Sequence, residues 1–270
     1  MTAGAAFFDL DRTLMAGSSA YHFGRASYKA GRLSRGQLAR DGLEQLRFRL
    51  RGSTDAAVHA LMDRIMEGIK DRPVKDLDRL VPDTLAGILP RIYPQMIAVV
   101  REHQDAGRPC YIVSAASQEM VQVLAGVLAM EGGIGTPSEV RDGIYTGNLA
   151  GPFAYGEGKA QALRQFAAAE DIDLAQSWAY SDSASDLPML EAVGHPVAVN
   201  PDADLTEHAR REGWEILRFE KLGQRLRMAG GLLAAAVVGS GGTWLARRRH
   251  NLLPPLAPQR VRLRDRLLRR

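Results

Sequence analysis

A strand-length apolar run, Ala5-Ala6-Phe7-Phe8, stops abruptly at Asp9-Leu10-Asp11-Arg12-Thr13. Its aromatic residues suit a buried strand. On extended backbone, residues i and i+2 face the same side. Asp9 and Asp11 are therefore expected to converge where the strand leaves its sheet. In open α/β sheets that carboxyl edge is where ligands bind. Neighbouring carboxylates repel unless a cation or a shared proton neutralises them. Oxygen ligands suit a hard divalent ion such as Mg²⁺. The competing reading is a strand followed by an acidic turn, where Asp and Thr are common. Other parts of a site, further along the chain, decide between the two.

At 270 residues the chain has room for one large domain or two smaller ones. Its single cysteine, Cys110, excludes an internal disulfide and reads as core filler beside a strand. The start of the chain lacks a basic region followed by a long apolar run, so no secretory signal is expected. The body of the chain is accordingly expected in the cytoplasm. The net charge of +4 is unevenly spread. Residues 247–270 hold nine arginines and one acid, a charge of +8, which leaves residues 1–246 with 26 bases against 30 acids, or −4. A mildly acidic body argues against a nucleic-acid partner.

After Leu14 comes a polar, Gly- and Ser-containing entry and then a helical region. Ser34 is placed to cap a helix carrying Leu38, Leu43, Leu46 and Leu50, with Gly52 as its stop. Thr54 is placed to cap the next, where Val58, Leu61, Met62, Ile65, Met66 and Ile69 follow the i, i+3, i+4, i+7 rule. A looser third pattern runs from Leu77 to Leu89 with Pro82 inside it. Strands alternating with helices then resume. Pro94 opens a helix, and Cys110-Tyr111-Ile112-Val113 is a strand ending in Ser114. A helix with Met120, Val121, Leu124, Val127 and Leu128 on its apolar side follows. Asp142-Gly143 marks a hairpin. Gly156-Glu157-Gly158-Lys159 opens another helix. Ser177-Trp178-Ala179-Tyr180 is a strand running into Asp182 and Asp186, and residues 196–199 form a last parallel strand. The pattern predicts an α/β fold with a largely parallel sheet covered on both faces. The six histidines show no ligand spacing and are expected at the surface.

Asp9-x-Asp11-x-Thr13, Ser114 at a strand end, Lys159 at a helix start and Asp182-x-x-x-Asp186 occur in that order. This set resembles the haloacid dehalogenase-like phosphatase superfamily. The helical insert and the glycine turns around Asp142-Gly143 and Gly156-Glu157-Gly158-Lys159 are similar to its phosphoserine-phosphatase-like branch, subfamily IB. The resemblance covers residues 5–200. It implies a Rossmann-like core from residues 1–14 and 91–222, a helical cap from residues 15–90, and a C-terminal apolar and basic tail over 223–270.

The resemblance further implies a Mg²⁺-dependent phosphate monoester hydrolase. Asp9 would be the nucleophile, forming an aspartyl-phosphate. Asp11 would protonate the leaving alcohol and later deprotonate water. Asp9, the Asp11 backbone carbonyl and Asp182 would hold the metal. Ser114 would bind a phosphoryl oxygen, and Lys159 would neutralise phosphate charge. Asp186 would position Lys159 or a metal-bound water, and Thr13 would order the loop by hydrogen bonding. The implied substrate is a small phosphorylated metabolite. Phosphoserine is one candidate, although the true phosphoserine phosphatases carry a glutamate shortly after the first motif and residues 14–22 here contain no acid. Arg47, Arg49 and Arg51 suit a solvated helix face better than a second anion site. Two rivals stand beside this reading. One is a membrane-associated lipid phosphate phosphatase acting on a lysophosphatidate-like substrate. The other is a non-catalytic phosphate-binding or membrane-scaffold protein, against which the intact Asp9, Asp11, Lys159 and Asp182 argue.

Residues 228–246 carry no charge, and as a helix these 19 residues would span roughly 28 Å, close to a bilayer's apolar core. Gly231, Ala235 and Gly239 recur every four residues, and Trp244 with Arg247-Arg248-Arg249 resembles an interfacial anchor. Export of a +8 tail would break the positive-inside rule. Attachment to the inner face of the membrane, with the arginines on anionic lipid, avoids that conflict. The alternative is a glycine-rich segment packed on the body or simply disordered.

Overall fold

The computed structural model describes residues 4–32 and 55–219. The strands among them are β1 (Ala6–Asp9), β2 (Cys110–Ser117), β3 (Gly132–Thr136), β4 (Ser138–Arg141), β5 (Ile144–Leu149), β6 (Trp178–Ser181), β7 (His195–Val199) and β8 (Glu215–Leu217). The α-helices among them before β2 are α1 (Ser19–Lys29), α2 (Asp55–Ile69), α3 (Val74–Asp78), α4 (Val81–Ile88) and α5 (Pro94–Asp105). After it come α6 (Gln118–Val127), α7 (Glu157–Ala169), α8 (Leu187–Leu190) and α9 (Ala203–Arg211).

Six strands form one sheet in the order β3-β2-β1-β6-β7-β8. Every pairing in it is parallel. The chain begins in the middle, fills one side through β2 and β3, and then returns to the other side of β1. That reversal creates a crevice beside the carboxyl end of β1. The predicted α/β architecture is the observed one.

Period-two alternation assigns each strand to both faces. Phe8, Ile112, Tyr180 and Val197 pack on one side with Met96, Val100 and Leu124 of the helices. Phe7, Val113, Ala179 and Ala198 pack on the other with Leu163, Met189 and Leu205. Cys110 is buried, as expected of core filler.

Several details differ from the sequence reading. β3 was not foreseen, because Gly132-Gly133-Ile134-Gly135-Thr136 has poor strand propensity. Its glycines are there for close approach: a Cβ on Gly133 would strike Val121, and one on Gly135 the backbone of Gln118. Helix α1 lies within the stretch read only as a polar entry. The loose third pattern is two helices, α3 and α4, with Pro82 in the first turn of α4, where its missing N–H costs nothing. The strand at residues 196–199 is not the last, since α9 and β8 follow it. Val127 is 52% exposed, so it leaves the apolar side of α6. The Asp142-Gly143 hairpin is observed between β4 and β5, with φ of 51° and 75° at the two turn residues. The helix expected after Ser34, the Thr54 cap, Arg47, Arg49 and Arg51, the apolar segment 228–246 and the arginine-rich tail lie outside the described residues. No helix among the described residues is long and apolar enough to cross a membrane.

Two histidines are not surface residues. His22 is buried in α1 against Gly87 of α4. His103 is buried under the sheet, where Arg108 Nε donates to Nδ1 at 2.8 Å. Nδ1 therefore accepts, and Nε2–H donates to the Tyr180 hydroxyl at 2.7 Å. Burial first, then the Arg108 charge, pushes His103 down to about 4 from an ordinary 6.5. The fold thus holds the neutral form. The stability from this network is complete above pH 6.5 and is lost as pH falls towards 4, where the unfolded chain binds a proton that the native state refuses. Thermal melts from pH 7 to 4 should show His103→Gln losing less stability across that window than the unmutated protein. Parallel curves would refute this account.

Candidate active site

β1 lies between β2 and β6, with Asp9 in register with Val113 and Phe8 with Tyr180. Ser114 on one side and Ser181-Asp182 on the other are therefore carried to the same carboxyl edge as Asp9. Parallel pairing makes this placement automatic, because all three strands end in the same direction.

Beyond Asp9 the backbone turns. Arg12 adopts the left-handed region at φ 65°, which a non-glycine residue seldom does. Leu14 N–H and Met15 N–H close the loop on the Leu10 carbonyl at 3.1 and 3.0 Å. Strand β1 ends at Asp9, so Asp11 does not share an extended face with it. Its carboxylate instead reaches the start of α1, where Ser19 donates its backbone N–H to Oδ1 at 2.7 Å and its hydroxyl to Oδ2 at 3.1 Å. Thr13 is buried, but its Oγ1 has no hydrogen-bond partner among the described residues. Backbone bonds, not the expected Thr13 hydroxyl, order this loop.

Lys159 stands near the N-terminus of α7, where the helix dipole disfavours a cation. Gly156 at φ 55° and Gly158, where a Cβ would collide with the Phe153 carbonyl oxygen, set the sharp entry to that helix. Lys159 Nζ donates to Asp9 Oδ1 and to Asp186 Oδ2, both at 2.7 Å. All three side chains are buried. Burial alone would lower the lysine, but Asp186 and Asp9 outweigh it and hold it above its ordinary range. Ser181 adds a hydroxyl donor to Asp186 Oδ2 at 2.7 Å.

Asp182 is buried beside Arg12, whose Nε is 3.0 Å from Oδ2. The N–H does not point along that line, and Oδ2 has no hydrogen-bond partner among the described residues. Burial, with the charges of Asp9, Asp186 and Asp202 added to it, raises Asp182 well above the carboxylate range despite Arg12. Burial likewise raises Asp9 and Asp11. The physical cause is plain. Asp9, Asp11, Asp182 and Asp186 gather around Lys159 and Arg12, so carboxylates outnumber the cations paired with them.

Ser114 is buried at the edge, and among the described residues its Oγ accepts a 3.3 Å bond from Ala116 N–H. Asp9, Lys159 and Asp186 are thus directly joined, Asp182 is joined to Arg12, and Asp11 and Ser114 flank them. Sequence reasoning missed Ser19, Ser181 and Asp202. Asp202 donates its N–H to the Asp182 carbonyl at 2.9 Å and accepts from Ala184 N–H at 3.1 Å, bracing the Asp182 loop. The signal was available, since Asn200-Pro201-Asp202 follows a strand and Asp202 also caps α9.

No three His, Cys, Asp or Glu side chains form a metal cage among the described residues. Mg²⁺ needs less: one or two carboxylates, with water and substrate oxygens completing its shell. The unsatisfied Asp182 Oδ2 and the surplus of buried carboxylate fit a hard cation held by Asp9 and Asp182.

Residues 6–191 match the haloacid dehalogenase-like hydrolase family. The chain belongs to that family. The hydrolase is 37% identical over 264 residues to the "Inhibition of morphological differentiation protein" of Streptomyces azureus, covering 91% of this chain and 94% of that one. It is 36% identical over 244 residues to a protein of Mycobacterium tuberculosis named as a phosphoserine phosphatase, covering 90% and 79%. A crystal structure of a Bordetella pertussis protein of unknown function superposes on the hydrolase with a TM-score of 0.69 at 30% identity, covering 80% of this chain and 99% of that one.

Proposed function

We propose that this hydrolase is a Mg²⁺-dependent phosphatase that cleaves phosphate monoesters through an aspartyl-phosphate on Asp9. The observation that carries this reading is the buried Lys159 ammonium bound to both Asp9 and Asp186. A carboxylate can approach a phosphate only where fixed positive charge offsets the repulsion. The similarity to a named phosphatase supports the same class of substrate.

Asp9 attacks phosphorus with its carboxylate oxygen, and the bond from phosphorus to the ester oxygen breaks. Asp11, set by Ser19, gives its proton to the departing alcohol. Asp11 then takes a proton from water as that water attacks phosphorus and releases Asp9. Lys159 stabilises charge on the transferring group, and Asp186 with Ser181 fixes its ammonium. Ser114, buried at the same edge, donates its hydroxyl to a phosphoryl oxygen in this mechanism. Asp9 and Asp182 would hold the Mg²⁺, which would supply Lewis-acid charge neutralisation. The helices between β1 and α5 form a cap over this edge.

The test is an acid quench with a ³²P-labelled monoester. An acid-stable, alkali-labile label should appear on the peptide containing Asp9, and both label and turnover should vanish in EDTA and return with Mg²⁺. Turnover with the label absent, or full turnover in EDTA, would overturn the mechanism.

A further inference from the structure

The apolar face that the sequence assigns to α2 is Val58, Leu61, Met62, Ile65, Met66 and Ile69. An amphipathic helix normally buries such a face. Here all but Ile69 remain partly exposed, and all six line one cavity of about 180 Å³. Phe23 of α1, Ala116 of β2, Met120 of α6 and Tyr145 of β5 supply other parts of its wall. Asp11 also lines it. Asp11 is the group assigned to protonate the departing oxygen, so the departing alcohol emerges into this space.

The polar groups of the wall are largely committed to the protein itself. Ser19 donates to Asp11, Thr84 Oγ1 to the Leu80 carbonyl at 2.8 Å, and Thr136 Oγ1 to the Ala115 carbonyl at 2.9 Å. Ser117 caps α6 by accepting from Met120 N–H. The charged lining residues among those described are Asp11, Asp78 and Glu119, with no Lys, Arg or His. A carboxylate on the leaving group, such as that of phosphoserine, would meet like charge and no described cation. An apolar group would meet an apolar wall that the described residues leave partly exposed. The volume is close to the roughly 150 Å³ of a dry apolar cavity that admits benzene.

We infer that the leaving alcohol is apolar, with a ring or short alkyl chain seated against the α2 face and no carboxylate. This rests on the monoester hydrolase reading and narrows its substrate class. Burial of each methylene contributes about a fourfold gain in kcat/KM until the cavity is full. Turnover of methyl, propyl and hexyl phosphate and of phosphoserine should be measured with the full-length protein and Mg²⁺. We expect kcat/KM to rise on the order of a thousandfold from methyl to hexyl phosphate for the five added methylenes, with hexyl phosphate also preferred to phosphoserine. Ile65→Ser, on a partly exposed helix face, should shrink the hexyl-to-methyl ratio. Met62→Lys should shrink it as well and shift preference towards phosphoserine. Turnover that is flat with chain length, or best with phosphoserine, would refute the inference and leave the hydrolase reading standing. No turnover of any monoester would remove both.

Discussion

Asp9→Asn should abolish turnover while leaving the protein folded and no less stable. The nucleophile is lost outright, so kcat should fall by at least about 10⁴, the scale seen when an essential member of a covalent catalytic group is removed. Stability should move the other way. Burial and neighbouring acids raise Asp9, which means the fold resists its ionised form. An amide keeps the shape, relieves repulsion, and leaves Lys159 paired with Asp186. A melting temperature equal to or above that of the unmutated protein, measured without Mg²⁺ near pH 7.5, is the expected signature. Residual activity within tenfold of normal would refute the nucleophile assignment. A large loss of stability would refute the charge-surplus account.

Lys159→Met should damage both stability and activity. The methionine fills the space but leaves Asp9 and Asp186 buried without the ammonium that each contacts at 2.7 Å. Removing one partner of a buried ionic cluster typically costs about 3–5 kcal/mol. Denaturant titration should show a loss of that order, and kcat should fall at least about 10³-fold as phosphate charge goes unneutralised. Lys159→Arg should not restore activity, because a planar guanidinium cannot replace a compact ammonium bridging two carboxylates. Adding Asp186→Asn to Lys159→Met should recover part of the stability and none of the activity. Full recovery of activity would mean that Lys159 acts only as a structural pair.

The two substitutions probe opposite sides of one electrostatic design. The cluster gathers more buried carboxylate than its lysine and arginine offset, an arrangement that costs stability in the free protein. On the proposed mechanism, the same surplus would suit a hard cation and a phosphoryl group brought together at this edge of the sheet.

The order of the motifs was legible because each sits where an apolar run breaks into polar residues. Asp9 ends β1, Asp182 follows β6, and Ser114 comes one residue after Asp9's partner Val113 in β2, which runs on to Ser117 instead of ending at the serine as the sequence pattern predicts; parallel pairing then leaves one way for these residues to lie. Lys159 announced its need for an acidic partner by standing at a helix start. The amphipathic face of α2 was equally plain, yet periodicity says only that a face is apolar, not what covers it. β3 escaped because its glycines encode close approach to α6, which is a property of the neighbour. His22 and His103 escaped because a histidine's burial depends on partners far away in sequence, such as Gly87 and Tyr180.

The sequence by itself therefore determined the α/β class, the family, and which side chains are candidates for the chemistry. Those properties follow from local periodicity and from the places where it breaks. Only the tertiary structure decided that Asp11 leaves the strand for Ser19, that Asp202 braces Asp182, and that the α2 face lines a cavity beside the acid. These are contacts between residues distant in the chain, and no local pattern records them.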